Sequence, residues 1–225
     1  MLTIRGEISF WEVYDFDSME EYLIKTDSLF KNTSQHILQN ELQPEHEIHF
    51  ALIPIRQYGA KEEDRNFFSI GYADVKDTAM VMSCLKYASD FFPFNCRFMW
   101  TLNPYNNNEE SVFYELICLK GDRDGPSITG GIKSAESASS GTGAEINIKM
   151  DDETSRNWKK MTAWNIDKAI AIVVDNKVMS FPVVYQTIEN GNSTITGNFT
   201  EEEARVYASV FNCPSLPFDV VLTIQ

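Results

Sequence analysis

The stretch from residue 169 to residue 200 constrains the fold more than any other part of this sequence. A largely β-branched apolar run ends in an Asp-Asn-Lys turn at 175–177, and a second apolar run covers 178–185. Because Asp and Asn tolerate the positive φ angles of a tight turn, this pattern predicts a β-hairpin. Pro182 has no backbone N–H, so we expect the second strand to lie at a sheet edge or to carry a bulge there.

The residues after the hairpin predict a short strand and a capped helix. Asn190 to Ser193 are turn formers, and a short strand is expected at 194–196. Thr200 and Glu203 have the spacing of a capping box, which marks a helix start. The residues that share one face of this helix are Ala204, Tyr207, Ala208 and Phe211. Pro214 is expected to stop the helix.

The first 120 residues alternate strand and helix patterns. The expected strands are 8–14, 67–72, 97–102 and 112–119, and a short apolar piece lies at 50–55. One helix is expected behind a capping box formed by Ser18 and Glu21, and another behind Asp74. This order of elements predicts an α/β sandwich, in which helices pack on one face of a sheet.

A domain boundary is expected at 121–126, which combines charge with two glycines and a proline. The small, polar residues 131–144 predict an extended or loose segment. Residues 145–150 alternate strictly between polar and apolar and predict a half-exposed strand. Asp151 or Asp152 is expected to cap the next helix, which carries three large apolar side chains, Trp158, Met161 and Trp164.

The order of these parts resembles the head of the first extracytoplasmic domain of the SecD/SecDF family, an accessory of the Sec translocase. The family pattern is an apolar strand, an Asp-Gly-Lys turn, a Pro, then Ile-Thr-Gly, Phe-Thr, Glu-Glu-Ala and Leu-Pro. The matching segments in this chain are 195–197, 199–200, 202–204 and 216–217, and 128–130 resembles the entry into the head. Asn176 and Phe181 depart from the pattern, since Gly and a small residue are usual there.

The resemblance implies an α+β fold of two modules. A ferredoxin-like α/β-sandwich base would cover 1–125 and be completed by 216–225, with a head subdomain inserted at 126–215. The segment 10–14 is similar to the opening strand of this domain in proteins of the Bacteroides group. The final strand, at 218–224, is expected to return to the base and to complete the sheet that contains 10–14.

The resemblance also implies a function without catalysis. The domain would hold or guide an emerging unfolded polypeptide by motion of the head on the base, with preprotein and Sec translocase components as partners. Its location would be the extracytoplasmic, periplasmic side of the inner membrane. The alternative is a stand-alone interaction or scaffold domain that shares the SecD head fold. No run reaches the about 20 apolar residues of a membrane span, so the chain is either a soluble relative or a piece of a larger protein.

Composition limits the partners. A net charge of −14 opposes binding to phosphate backbones and to anionic membrane surfaces. Cationic chains and unfolded apolar chains remain compatible with this charge. An apolar fraction of 43% indicates a folded chain with a real core rather than a disordered one.

The candidate site residues follow from the hairpin and the boundary. Phe181 and Pro182 are the candidate polypeptide contacts, because an exposed edge beside a proline can accept an extended peptide. Candidate hinges flank the head, and they are Gly125, Pro126, Gly130, Gly131, Pro214 and Pro217. For most large aromatic residues we expect core packing rather than a binding surface.

No catalytic, cofactor or metal site is predicted. The histidines are His36, His46 and His49, and their spacing is not that of a zinc-protease helix. The cysteines, Cys84, Cys96, Cys118 and Cys213, form no Cys-x-x-Cys pair. Cys84 and Cys118 lie in apolar runs and are expected to be buried free thiols, although an oxidising compartment would permit a disulfide. Acidic clusters at 151–153 and 201–203 are explained by helix capping.

Overall fold

The computed structural model describes residues 2–4, 6–33, 52–54, 68–108, 111–121, 125–140, 143–197, 199–213 and 220–222. These residues form a mixed α+β structure, which confirms the predicted fold class. The chain divides into two compact units. The first, called here the head unit, contains residues 1–12 and 124–225, and the second, the base unit, contains residues 13–123.

The elements are numbered in chain order. The strands are β1 (Leu2–Ile4), β2 (Ile8–Val13), β3 (Ile53–Pro54), β4 (Ser69–Asp74), β5 (Cys96–Trp100), β6 (Asn106–Asn108), β7 (Ser111–Lys120), β8 (Ile128–Thr129), β9 (Ile132–Ser140), β10 (Gly143–Met150), β11 (Ile170–Val174), β12 (Lys177–Ser180), β13 (Asn192–Thr196) and β14 (Val220–Leu222). The helices are α1 (Phe16–Thr33), α2 (Thr78–Tyr87), α3 (Asp152–Trp164) and α4 (Glu201–Phe211), with a 3-10 turn at Ser89–Phe91.

The predicted hairpin is confirmed in the head unit. Strands β11 and β12 pair antiparallel, and Asp175 and Asn176 form the turn with φ angles of 49° and 63°. The register shifts between Ile172 and Val173, so the hairpin carries a bulge, and β12 ends the row of strands. The edge position predicted from Pro182 is therefore confirmed, although the bulge lies before the proline rather than at it.

On its other edge, the hairpin strand β11 pairs with β2 and continues the sheet within the head unit. Residues 8–12 of β2 pair antiparallel with β11, and β8 pairs with β2. Every residue of β11 is buried. Asp175 fixes this arrangement, because its carboxylate accepts hydrogen bonds from the backbone N–H groups of Gly6 and Glu7 at 3.3 and 3.1 Å.

A second sheet of the head unit has the strand order β13, β10, β9. The residues expected to be extended or loose form the nine-residue strand β9, which pairs with β10 over almost its whole length. Helix α4 packs on β9 and β10. The Asn212 side chain fixes the end of this helix, since its amide accepts from Ala135 N at 2.8 Å and donates to Ala135 O at 2.7 Å.

Both helices of the head unit begin as the sequence predicts. Asp151 caps α3, and its carboxylate accepts from Thr154 N at 2.8 Å. Thr200 and Glu203 form the capping box of α4, with both reciprocal hydrogen bonds present. The predicted buried face of α4 is also confirmed, and its members are Ala204, Tyr207, Ala208 and Phe211.

In the described part of the base unit, one sheet and two helices surround a common core. Strand β4 pairs with β3 and β7, while β5 and β6 both pair with β7. The core joins Met19 of α1, Val81 of α2, Ile70 of β4 and Leu116 of β7. The helices predicted from the alternating pattern therefore bury their apolar faces against this sheet. The ferredoxin-like arrangement of the base stays a prediction.

Two predicted helix starts in the base unit were wrong. Helix α1 begins at Phe16, and Asp15 rather than Ser18 accepts a hydrogen bond, from Ser18 N at 2.7 Å. Helix α2 begins at Thr78, and Asp77 occupies its N-cap position without a side-chain bond. Asp74 instead ends β4 and accepts from Lys76 N in the turn that follows. In both places more than one side chain suited to capping lies within a few residues of the helix start.

The two ends of the chain pair with each other. Strand β14 pairs antiparallel with β1 in a two-stranded sheet of the head unit. Among the described residues, β14 pairs with no strand of the larger sheet, so the pairing expected between 218–224 and the sheet of Phe10 is not found there. Because β1 lies within residues 1–125, the completion of the base by 216–225 stays a prediction. The predicted boundary at 125/126 lies two residues from the boundary between the units at 123/124. The assignment of residues 1–12 to a base module stays a prediction.

Candidate polypeptide-binding surface

Two segments of the head unit lie side by side beyond the hairpin. Ile166 forms a parallel bridge with Val184, and Ala169 forms an antiparallel bridge with Val183. Asp167 N donates to Val184 O at 2.8 Å, and Ile170 N donates to Pro182 O at 3.1 Å. These bonds hold the end of α3 next to the residues that follow β12.

The paired segments expose an unusual amount of apolar surface. Trp164 is 74% exposed, Tyr185 is 83% exposed and Ile166 is 45% exposed. Pro182 is exposed as well, and Phe181 is half-buried. We call this set, Trp164, Ile166, Phe181, Pro182 and Tyr185, the edge patch. Apolar surface grouped in this way is typical of interaction sites rather than of ordinary exposed side chains.

The support beneath the edge patch is well bonded. Thr162 is fully buried, and its hydroxyl accepts from Ile188 N at 3.1 Å. Asn165 is buried too, and its amide donates to Met161 O at 2.8 Å. An ion pair between Lys159 and Glu189 also joins α3 to the loop that contains Ile188. The exposed aromatic side chains thus extend from a fixed frame rather than from a loose end.

The structure places the two predicted polypeptide contacts in the edge patch, but two larger members were missed. Trp164 was expected, like most of the large aromatic residues, to pack in the core, and it follows Trp158 and Met161 at spacings of three residues. Successive i+3 steps drift around a helix, so the sixth residue on lies about 120° from the first. This angle could have indicated that Trp164 lies away from the helix face that carries Trp158. Tyr185 was included in the strand, although β12 ends at Ser180.

The glycines predicted as hinges are held by hydrogen bonds. Gly130 N donates to Ile8 O at 2.8 Å, and Gly131 O accepts from Asp151 N at 2.9 Å. Gly131 has a φ of 76°, and a Cβ atom there would lie 1.8 Å from the Thr154 hydroxyl oxygen. This close approach explains why position 131 needs a glycine, whether or not the residue acts as a hinge.

Of the other predicted hinges, the structure describes Gly125 and Pro126. Gly125 and Pro126 are half-buried, and a Cβ atom at Gly125 would contact nothing within 4 Å. Pro214 and Pro217 lie outside the described residues, as do His36, His46 and His49. The hinge role of all these residues stays a prediction.

A second group of exposed aromatic residues lies in the base unit. Tyr87 ends α2, and Phe91 and Phe94 follow it around the 3-10 turn. Phe94 is 88% exposed, and the other two side chains are also exposed. This group lies on one continuous stretch of chain rather than on two paired segments, and it provides a matched control surface for experiments.

Among the described residues of the base unit, Glu115 is a candidate group for acid–base chemistry. Burial raises the pKa of Glu115, and the hydroxyls of Ser69 and Tyr72 partly offset that effect. In the described part of the chain, no three His, Cys, Asp or Glu side chains converge in a way that could hold a metal ion. Cys84 and Cys118 are buried free thiols, as predicted. By itself, the half-buried Glu115 carboxyl supplies neither a nucleophile–base pair nor an oxyanion site.

None of the described helices is long and apolar enough to cross a membrane.

Comparison with known proteins gives a family for the head unit. Residues 123–218 match the model of the SecDF P1 head subdomain. The protein translocase subunit SecD of Rhodothermus marinus is 32% identical over 148 residues, which is 64% of this chain and 24% of that protein. The SecD subunit of Syntrophobacter fumaroxidans is 39% identical over 80 residues, or 36% of this chain and 15% of that protein.

The chain thus spans a quarter or less of the length of these relatives. A solved structure of SecDF, described as a membrane component that enhances protein export, aligns with 97% of this chain and 99% of its own. Its TM-score is 0.41 and its sequence identity 18%. The likeness to the Bacteroides group stays a prediction. The family match and the SecD relatives together show that this chain carries a SecDF P1 head subdomain, in residues 123–218.

Proposed function

We propose that this chain is a non-enzymatic, extracytoplasmic module of a Sec protein-translocation accessory, and that its head unit holds an unfolded polypeptide. The observation that carries the proposal is the edge patch, which lies within the residues that match the SecDF P1 head. Unfolded chains differ from folded ones in exposing apolar side chains. Aromatic residues bind such side chains without demanding one sequence, because most of their contact is non-directional.

The geometry favours side-chain contacts over the addition of a complete strand. The Ser180 hydroxyl donates to Thr196 O, so the chain after β13 already lies beside β12. Gly197 approaches the Met179 carbonyl, since a Cβ atom there would lie 3.2 Å from that oxygen. Pro182 has no N–H to donate. A bound polypeptide would therefore lie across Trp164 and Tyr185 rather than extend β12 along its whole length.

Charge adds a second preference. With a net charge of −14, the chain would repel acidic polypeptides and attract basic ones at low ionic strength. The preferred ligand is thus unfolded, apolar and neutral or cationic. Movement of the head on the base, with hinges near Gly125, Pro126 and Gly130, remains part of the proposal and would release or reposition the bound chain.

A binding titration tests the holding role. The probe is a fluorescently labelled peptide that is permanently unfolded, apolar and of zero net charge, and the readout is its anisotropy. We expect the wild-type chain to bind it, and the double variant Trp164→Ala/Tyr185→Ala to bind about ten-fold or more weakly, because two central aromatic contacts are lost. Equal affinity of wild type and variant would remove the edge patch from the proposal.

The control variant is Tyr87→Ala/Phe94→Ala, which removes two exposed aromatic residues from the base unit. It should bind the peptide as the wild type does. A loss of binding in the control alone would move the polypeptide site to the base unit. An absence of binding by the wild type would leave the alternative, a scaffold domain that recognises folded partners.

A further inference from the structure

Two cysteines of the base unit meet across neighbouring strands. Strands β5 and β7 pair so that Cys96 faces Lys120 and Phe98 faces Cys118. Cys96 and Cys118 are therefore diagonal neighbours, and alternation puts them on the same face of the sheet. Their sulfur atoms lie 3.2 Å apart. A disulfide bond has an S–S distance of about 2.05 Å, so the two sulfurs need to approach by about 1.2 Å.

The backbone around the pair is fixed. Gly121 N donates to Asn95 O at 3.0 Å, and the Asn95 amide donates to Gly121 O at 3.2 Å. Asn95 also accepts from the Tyr14 hydroxyl at 2.9 Å, and Tyr14 N donates to Cys118 O at 2.9 Å. These bonds hold both strands in register next to the sulfurs. The folded chain therefore has little conformational freedom left to lose when the disulfide forms.

We propose that Cys96 and Cys118 form a disulfide bond that joins β5 to β7 when the protein meets a small-molecule or protein disulfide as oxidant. The sulfurs differ in access, since Cys96 is half-buried and Cys118 is buried. Burial raises the pKa of Cys118. Cys96 is accordingly the sulfur that the oxidant reaches first.

The reaction is two thiol–disulfide exchanges. The Cys96 thiolate attacks one sulfur of the oxidant, which forms a mixed disulfide and releases one thiolate of the oxidant. The Cys118 thiol then loses its proton to solvent and attacks the Cys96 sulfur, which releases the second oxidant thiolate. In sum, two cysteine thiols lose two electrons and two protons, and the oxidant disulfide is reduced to two thiols.

The test uses the full chain with Cys213→Ser, which removes the exposed thiol that would link two molecules. The protein is incubated with oxidised glutathione, denatured, alkylated and digested with trypsin. Arg97 lies between the two cysteines, so they fall in separate tryptic peptides, 87–97 and 98–120. We expect these two peptides to be recovered as one disulfide-linked species, with Cys84 still alkylated.

Stability gives a second readout. The bond closes a loop between residues 22 apart, which should raise the melting temperature of the oxidised chain by about 5–10 °C. The variant Cys96→Ser, at the half-buried position, should show neither the linked peptide nor the shift. Alkylation of both Cys96 and Cys118 after oxidation of the folded Cys213→Ser chain would overturn the proposal, as would a bond from either of them to Cys84.

Discussion

Helix α3 places the same type of side chain in opposite environments at two positions six residues apart. Trp158 is 5% exposed, its ring lies 4.9 Å from that of Phe10, and its indole N–H donates to the Ser193 hydroxyl at 2.9 Å. Trp164, in the last turn, is 74% exposed. The first tryptophan joins the helix to β2 and β13, which lie in different sheets of the head unit, and the second adds apolar surface to the edge patch.

This comparison indicates that one part of a single helix can stabilise the fold while another part is available for binding. The N-terminal and central part of α3 is fixed by Asp151 and Trp158, while its C-terminal residue Trp164 is exposed and apolar. A folded protein loses free energy of unfolding when a packed aromatic residue is removed, but hardly any when an exposed one is removed. Substitutions along the helix should therefore separate the two roles.

The largest effect is expected for Trp158→Ala. Removal of a buried indole leaves a cavity beside Phe10 and an unpaired Ser193, so the free energy of unfolding should fall by about 3–5 kcal/mol. Urea unfolding followed by circular dichroism measures it. Trp158→Phe keeps most of the packing and loses only the hydrogen bond, and it should cost less. A loss below that of Trp164→Ala would reverse the comparison.

A smaller effect is expected at the N-terminus of the same helix. Asp151→Ala removes the cap and should cost about 1 kcal/mol. The hydrogen bond from Thr154 N lowers the pKa of Asp151, so the charged form stabilises the folded state. This stabilisation is present above the unfolded-state pKa of about 4 and is lost as the pH falls through the lower folded-state value.

The variant Asp151→Asn checks the origin of that pH dependence. Asn is also a good N-cap, so it should keep most of the stability at neutral pH. It cannot be protonated in this range, and its stability should depend less on pH below about 4 than that of the wild type. Parallel acid unfolding curves for wild type and Asp151→Asn would show that the cap charge contributes nothing.

The smallest effect on stability is expected for Trp164→Ala. An exposed side chain in the last turn of a helix contributes little packing, so the free energy of unfolding should change by no more than about 0.5 kcal/mol. The same urea experiment measures it. A cost of several kcal/mol would mean that Trp164 belongs to the core, and the edge patch would then lose its largest member.

Much of the head unit could be predicted because its signals are local. The turn at Asp175, the capping box at Thr200 and the buried face of α4 all follow from residues close together in sequence, within about two helical turns. The exposure of Trp164 and Tyr185 in the edge patch could not be predicted from such local signals. Burial of Trp164 depends on what lies opposite it in the fold, and one helix pattern does not contain that information.

Other features also depend on what the fold brings together. Strand β9 consists of small polar residues with weak strand propensity, and it is ordered by pairing with β10 and by the clamp from Asn212. The pairing of β14 with β1 joins the two ends of the chain, so no local pattern could indicate it. At α1, Asp15 and Ser18 both suit a cap, and the structure selects the earlier one.

The most direct test of the central claim places a photo-crosslinking amino acid at single positions. One variant carries it at residue 164, and the control carries it at Phe94, which is exposed in the base unit. Each is irradiated with the unfolded apolar peptide and its crosslinks are mapped by mass spectrometry. The account predicts a peptide adduct at 164 and little at 94. Equal labelling at both positions, or labelling at 94 alone, would contradict it.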